Sequence, residues 1–184
     1  MSKAFYILKH EHRIIERSLR ALDGVCDRLG VGASIPAGDL LEVIDFITTF
    51  ADQYHHGKEE RILFPALERC GIVREGGPLR AMEHEHRIER GLIAALRQAV
   101  VSYREGDNEA VRRFVEAAHS YLHMLAGHIE KEDSILFRIA DEILDDDEQE
   151  QIAEGFKELD VVLGPRSLQD FERLAAKLEE KWAV

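Results

Sequence analysis

Positive charge, cysteine, proline and long apolar runs are what this chain of 184 residues has little of. Lys and Arg number 24 against 36 Asp and Glu, a formal net charge of -12, and a surface with that excess repels polyphosphate and anionic lipid. Nucleic acid and membrane are therefore not expected partners. No stretch approaches the ~18 consecutive apolar residues that mark a membrane span, and "MSKAFYILKHEHR" at the N-terminus holds no apolar run followed by a small-residue cleavage site. A cytoplasmic protein is the expectation. Cys26 and Cys70 lie far apart and outside any C-x-x-C pattern, which points to reduced, buried thiols rather than a disulfide.

Proline occurs only 4 times, so the breaks between segments are few: "GVGASIPAG" at 30–38, "CGIVREGGP" at 70–78, "REGDNE" at 104–109, "LDDDEQ" at 144–149 and "LGPRS" at 163–167. Between them the apolar residues recur with helical spacing. Long helices are expected at 2–29, 38–69, 78–104 and 108–144, with shorter ones at 147–158 and 167–181. Pro78, behind Gly76 and Gly77, suits the first turn of a helix, where its missing N–H costs nothing. The expected fold class is all-α: an up-down-up-down four-helix bundle over 1–146 and a C-terminal extension over 147–184 with two short additional helices packed on it.

The chain also repeats itself. "HEHRI" at 10–14 returns at 84–88, and "HxxKEExILF" beginning at His55 returns as "HIEKEDSILF" beginning at His128, at offsets of 74 and 73. A duplicated helical hairpin gives this pattern. It makes His12 equivalent to His86, and the His55–Glu59 pair equivalent to His128–Glu132.

At 100° per residue, helical phase separates neighbouring histidines. On the second helix His55 and Glu59 share a face with Ile44, Ala51 and Ala66, whereas His56 and Glu60 turn outward with Asp45 and Asp52. The His128 face of the fourth helix collects Phe114, Tyr121, Leu125, Glu132, Ile135 and Ile139. His12 lies with Phe5, Leu8, Ile15, Glu16 and Leu19, and His86 with Leu79, Met82, Ile93 and Val100. His10, His56, His84, His119 and His123 are expected at the surface, and Tyr121 in the core with its hydroxyl satisfied.

Four inward histidines and two inward glutamates need a common explanation, because a buried carboxylate without a partner costs several kcal/mol, of the order of 3–5. A pair of metal ions supplies one. His12, His55, His86 and His128 would give two nitrogens to each ion, and Glu59 and Glu132 would bridge. Two divalent cations against two carboxylates leave positive charge over, which favours a bridging oxide or hydroxide, or a further acid. Glu16, one turn past His12, is the candidate as ligand or outer partner, and a Glu16–Arg90 ion pair is its competing use. The donors suit Fe, Mn or Zn, and no inward Cys calls for a soft metal.

These residues resemble the hemerythrin-like (HHE cation-binding) family. "EHRIIE", "HHGKEERILFP", "GGPLRAMEHEHRIER" and "HIEKEDSILF" follow its motif in order over about residues 5–140. The resemblance implies a four-helix bundle with two iron ions, with Zn or Mn as alternatives in isolated protein, held by His12, His55, Glu59, His86, His128 and Glu132. It also implies binding or sensing of a small diatomic ligand or peroxide, with iron-dependent peroxide or NO removal, iron storage, or a metal-stapled regulatory module as alternatives. Whether the centre turns a substrate over stays open, as does pairing with a second copy of the chain. Oxygen carriers of the family have a second inward His on the third helix. Here Met82 and Arg90 hold the candidate positions, which points away from simple O₂ transport.

Overall fold

A computed structural model describes residues 3–164 and 166–183, and every regular element among them is helical. The first helix, α1, runs Lys3–Gly30; residue 2, where the sequence places its start, lies outside the described residues. The second is a composite rod. It begins as α2 (Ala37–Phe46), widens into a π-helix (Ile47–His56), passes through a second π-turn (Glu59–Leu63) and ends as α3 (Phe64–Arg69). Helix α4 spans Pro78–Arg104, with Pro78 in its first turn. The fourth rod joins α5 (Ala110–Lys131), a π-turn (Glu132–Leu136) and α6 (Phe137–Ile143). Two C-terminal helices follow, α7 (Asp146–Leu163), longer than the expected 147–158, and α8 (Leu168–Trp182), one residue along from the expected 167–181. Both start from capping boxes, Asp145 with Glu148 and Ser167 with Asp170, which satisfy the first free N–H groups.

Two apolar cores flank a polar centre. One holds Ile14, Leu22, Ile44, Phe50, Leu96, Phe114, Leu125 and, from α8, Phe171, Leu178 and Trp182. The other holds Phe5, Leu8, Leu63, Phe64, Leu136, Phe137 and, from α7, Ile152 and Phe156. The C-terminal helices thus complete both cores, packing mainly on α1. Their approach is close. A Cβ on Gly24 of α1 would meet the Trp182 carbonyl oxygen at 2.0 Å, and one on Gly155 of α7 would meet Ile62 Cγ2 at 3.0 Å. No helix among the described residues is long and apolar enough to cross a membrane.

The π-turns overturn part of the phase reading. An i→i+5 turn rotates the chain less per residue than an α-turn, so faces assigned at 100° drift. From the π-turn at Glu132–Leu136 to the end of the rod the buried apolar residues are Leu136, Phe137 and Ala140, and Ile135 and Ile139, expected inside, are 54% and 41% exposed.

Candidate metal centre

The polar centre lies between the two cores, where α1, α4 and the two π-containing rods meet. His12, His55, Glu59, His86, His128 and Glu132 are brought together there, each fully buried. His12 Nε2 and His55 Nε2 face each other at 3.0 Å, and His86 Nε2 and His128 Nε2 at 3.1 Å. The carboxylates straddle both pairs. Glu59 places Oε1 at 3.4 Å from His55 Nε2 and Oε2 at 3.4 Å from His86 Nε2. Glu132 places Oε1 at 3.4 Å from His128 Nε2 and Oε2 at 3.3 Å from His12 Nε2.

Each of these imidazoles donates its other nitrogen to a carboxylate. His12 Nδ1 donates to Asp133 (2.9 Å), His55 Nδ1 to Glu11 (2.9 Å), His86 Nδ1 to Glu60 (2.7 Å) and His128 Nδ1 to Glu85 (3.0 Å). An acceptor at Nδ1 assigns the proton there and turns the Nε2 lone pair inward. The outer acids are themselves held: Glu11 by Lys58 (2.6 Å), Glu60 by Arg90 (2.7 Å), Asp133 by Arg13 (2.6 Å) and Glu85 by Lys131. Phe137 stacks on His12 and Phe64 on His86 (centroids 5.7 and 5.8 Å), which sets an apolar ring from one core against each of these imidazoles.

The electrostatics are those of a site short of positive charge. Burial alone would push the His12 imidazole down, yet Asp133, Glu132 and Glu59 carry it up to about 9. Burial opposes His86 likewise, and Glu59 and Glu60 bring it to about 9. Burial raises the Glu132 carboxyl, but His128 and His12 hold it well below the usual range. All four oxygens of Glu59 and Glu132 lack a hydrogen-bond donor. Divalent ions fit this arrangement. Nitrogen or oxygen ligands about 2.1 Å from one ion stand about 3.0 Å apart at right angles and about 3.4 Å apart at tetrahedral angles, the window that these donors occupy. One donor group is His12, His55, Glu59 and Glu132; the other is His56, Glu59, His86 and His128.

His56 corrects the sequence reading. Expected at the surface, it is 1% exposed and stacked on His86 at 3.9 Å, with neither ring nitrogen hydrogen-bonded. The π-helix ending at His56 brings both adjacent histidines inward. Burial, then His86 and His128, depresses its basicity well below the ordinary value, leaving a neutral ring. Glu89, also 1% exposed, has neither oxygen hydrogen-bonded; its Oε2 lies 3.6 Å from His56 Nε2, and burial pushes the carboxyl up to about 7. The Tyr121 hydroxyl, expected to be satisfied, is buried with no partner.

Glu16 is not in the centre. Its side chain is 32% exposed and pairs with Arg13 at 2.8 Å, while Arg90 pairs with Asp52 (2.6 Å) and Glu60, so neither use expected of Glu16 is realised. Sequence reasoning missed the outer acids Glu11, Glu85 and Asp133 and set Glu60 aside. Their signal was present: an acid precedes His12 and His86, and an acid follows Glu59 and Glu132. Of the remaining histidines His84, His119 and His123 are exposed and His10 half-buried. Both cysteines are free, Cys26 buried and Cys70 half-buried.

Curated relatives are uncharacterised proteins of Mycobacterium bovis and of two Mycobacterium tuberculosis strains, each 26% identical over 152 residues, or 82% of this chain. The chain spans 58% of the length of those relatives. No solved structure matches it. The sequence profile of the hemerythrin HHE cation-binding domain matches residues 3–140, which include every donor of the buried centre, and the chain belongs to that family.

Proposed function

We propose that this is a non-haem di-iron protein of hemerythrin-like type that binds or senses O₂, NO or peroxide at positions its own side chains leave open. In this reading the four long rods form an up-down-up-down bundle, His12 and His55 hold one ion, His86 and His128 the second, and Glu59 and Glu132 bridge. The observation that carries it is the pair of facing Nε2 atoms in each half with one oxygen from each glutamate beside them. His56 offers the second ion a third nitrogen. Imidazole and carboxylate donors suit iron, manganese and zinc, and family membership favours iron. An iron pair would supply redox-active positions for a small ligand.

The chain's own residues then have distinct work. The outer carboxylates fix each imidazole's tautomer and strengthen it as a donor. Phe64 and Phe137 keep water from the histidines they cover. Protein made in iron-replete cells should carry two irons per chain, one for each donor group, with iron-dependent near-UV absorption that changes on adding O₂, NO or peroxide. Less than about one iron per chain after anaerobic Fe(II) loading, at a site designed for tight binding by charge-neutralising ligands, would sink the proposal.

A further inference from the structure

The internal repeat supplies a control for its own asymmetry. Lys58 and Lys131 are equivalent, and each holds the acid behind one histidine, Glu11 behind His55 and Glu85 behind His128. Their surroundings differ. Lys131 is 41% exposed, whereas Lys58 is 1% exposed and is sealed by α7. Its ammonium meets Asp160 of α7 at 2.8 Å and lies 3.9 Å from the Tyr54 ring centroid and 5.8 Å from that of Phe156. Burial, with the charges of Glu11 and Asp160 beside it, holds the Tyr54 hydroxyl well above its ordinary pKa. Tyr54's equivalent in the repeat is Gly127, which has no ring to offer. On that side Ile135, Ile139 and Ile143, equivalent to Ile62, Ala66 and Cys70, stay open to solvent.

A continuous run of ion pairs ending in a hydrogen bond therefore links the C-terminal extension to one half of the centre: Asp160, Lys58, Glu11, His55. We infer that Lys58 and Asp160 are positioning residues for the His12–His55 half, and that through them occupation of that half and docking of α7 form one linked equilibrium. The inference rests on the metal reading above and adds to it a regulated element. A buried ammonium between two acids holds Glu11 in the one position where it can accept from His55 Nδ1, and so aims Nε2 at the ion. Withdrawing α7 would expose Lys58 to water and loosen Glu11. Coupling of this kind is reciprocal: if docked α7 tightens metal binding by some factor, bound metal tightens docking by the same factor. The His86–His128 half has no such roof and should ignore α7.

The test uses the full chain with anaerobic Fe(II), read by chelator competition that resolves two binding steps, and by hydrogen exchange of the amides in 146–163. Lys58→Met should weaken one step by the ~10–100-fold typical of outer partners, with Lys58→Arg restoring part of it. Asp160→Asn, at a side chain 38% exposed that the fold tolerates, should weaken the same step by a smaller factor. Lys131→Met, whose ion pair water screens, should change neither step by more than about threefold. Exchange in α7 should slow on Fe(II) loading in the wild type and lose that response in Asp160→Asn. Equal effects of Lys58→Met and Lys131→Met, or α7 exchange indifferent to iron that does bind, would overturn the inference alone. A wild type that binds no Fe(II) would overturn the metal reading and this inference with it.

Discussion

Replacing His56 by leucine should stabilise the metal-free chain, an unusual sign for a fully buried residue. Both ring nitrogens are buried without a hydrogen bond, and the ring is held neutral by burial and by the imidazoles around it. A buried polar group left unsatisfied costs about 1–3 kcal/mol, and an apolar side chain of similar size removes that cost while giving up the stack on His86. The equivalent position in the repeat is the apolar Ile129, 4% exposed, so the surroundings accept such a side chain. A net gain of about 1–2 kcal/mol corresponds to a rise of roughly 2–8 °C in Tm for a chain of this size. Thermal unfolding in EDTA measures it. With saturating Zn(II) or anaerobic Fe(II) the gain should vanish or invert, because the wild type then uses a nitrogen that the variant lacks. Metal affinity should fall at least ~10-fold, about 1.4 kcal/mol. Destabilisation by His56→Leu in EDTA, or an equal gain with and without metal, would refute the reasoning.

Two further outcomes follow from the surroundings of the centre. Glu60→Gln removes the charge that orients His86 and pairs with Arg90 at a side chain 30% exposed, so helicity should persist while metal affinity drops about 10–100-fold; unchanged affinity would rule out a role for Glu60. The hydrogen bond from Cys70 to Glu148 (3.0 Å), with burial behind it, pushes the thiol up to about 11. Thiolate is the reactive form and disappears below the pKa, so iodoacetamide at pH 8 should modify Cys70 on the order of 100-fold more slowly than an ordinary thiol. Glu148→Gln, which can still complete the α7 capping box, should recover most of that rate; wild-type modification at the ordinary rate would count against the hydrogen bond.

Much of the fold was legible because punctuation in this chain is sparse and unambiguous. Pro78 opens α4 and Arg104 ends it where the sequence placed them. The six residues that meet in the centre were legible for a different reason: duplication tests each helical face twice, so His12 with His86, and His55–Glu59 with His128–Glu132, corroborate one another. His56, Ile135 and Ile139 were misassigned because the phase argument fixes the rotation per residue, and a π-turn changes it with no residue in "ITTFADQYHH" or "EDSIL" that announces the change. Glu16 failed in another way. Sharing a helix face with His12 is necessary for reaching an ion, but Arg13, one turn away on the same helix, competes for the carboxylate at the surface.

What the two halves share and what they do not then separate two tasks. Donors and outer acids are repeated: His12 and His86, Glu11 and Glu85, Glu59 and Glu132, Glu60 and Asp133, with Phe64 and Phe137 stacked beyond them. Holding the proposed pair of cations needs only that much. Two departures set a polar residue against an apolar one, His56 against Ile129 and Glu89 against Ile15; in a third, Tyr121 stands against Thr48, whose hydroxyl is hydrogen-bonded to Ile44 O. His56, Glu89 and Tyr121 also carry buried polar atoms with no protein partner. A folding requirement does not explain their placement, since Ile129 and Ile15 pack buried without a polar group to desolvate and the Thr48 hydroxyl has its partner. Under the proposed function, a ligand environment that differs between the two halves of the centre explains it. On the proposed two-ion reading, distinct chemistry at the two ions would be carried by the residues that break the repeat, and those positions are where substitutions should change ligand response without emptying the centre.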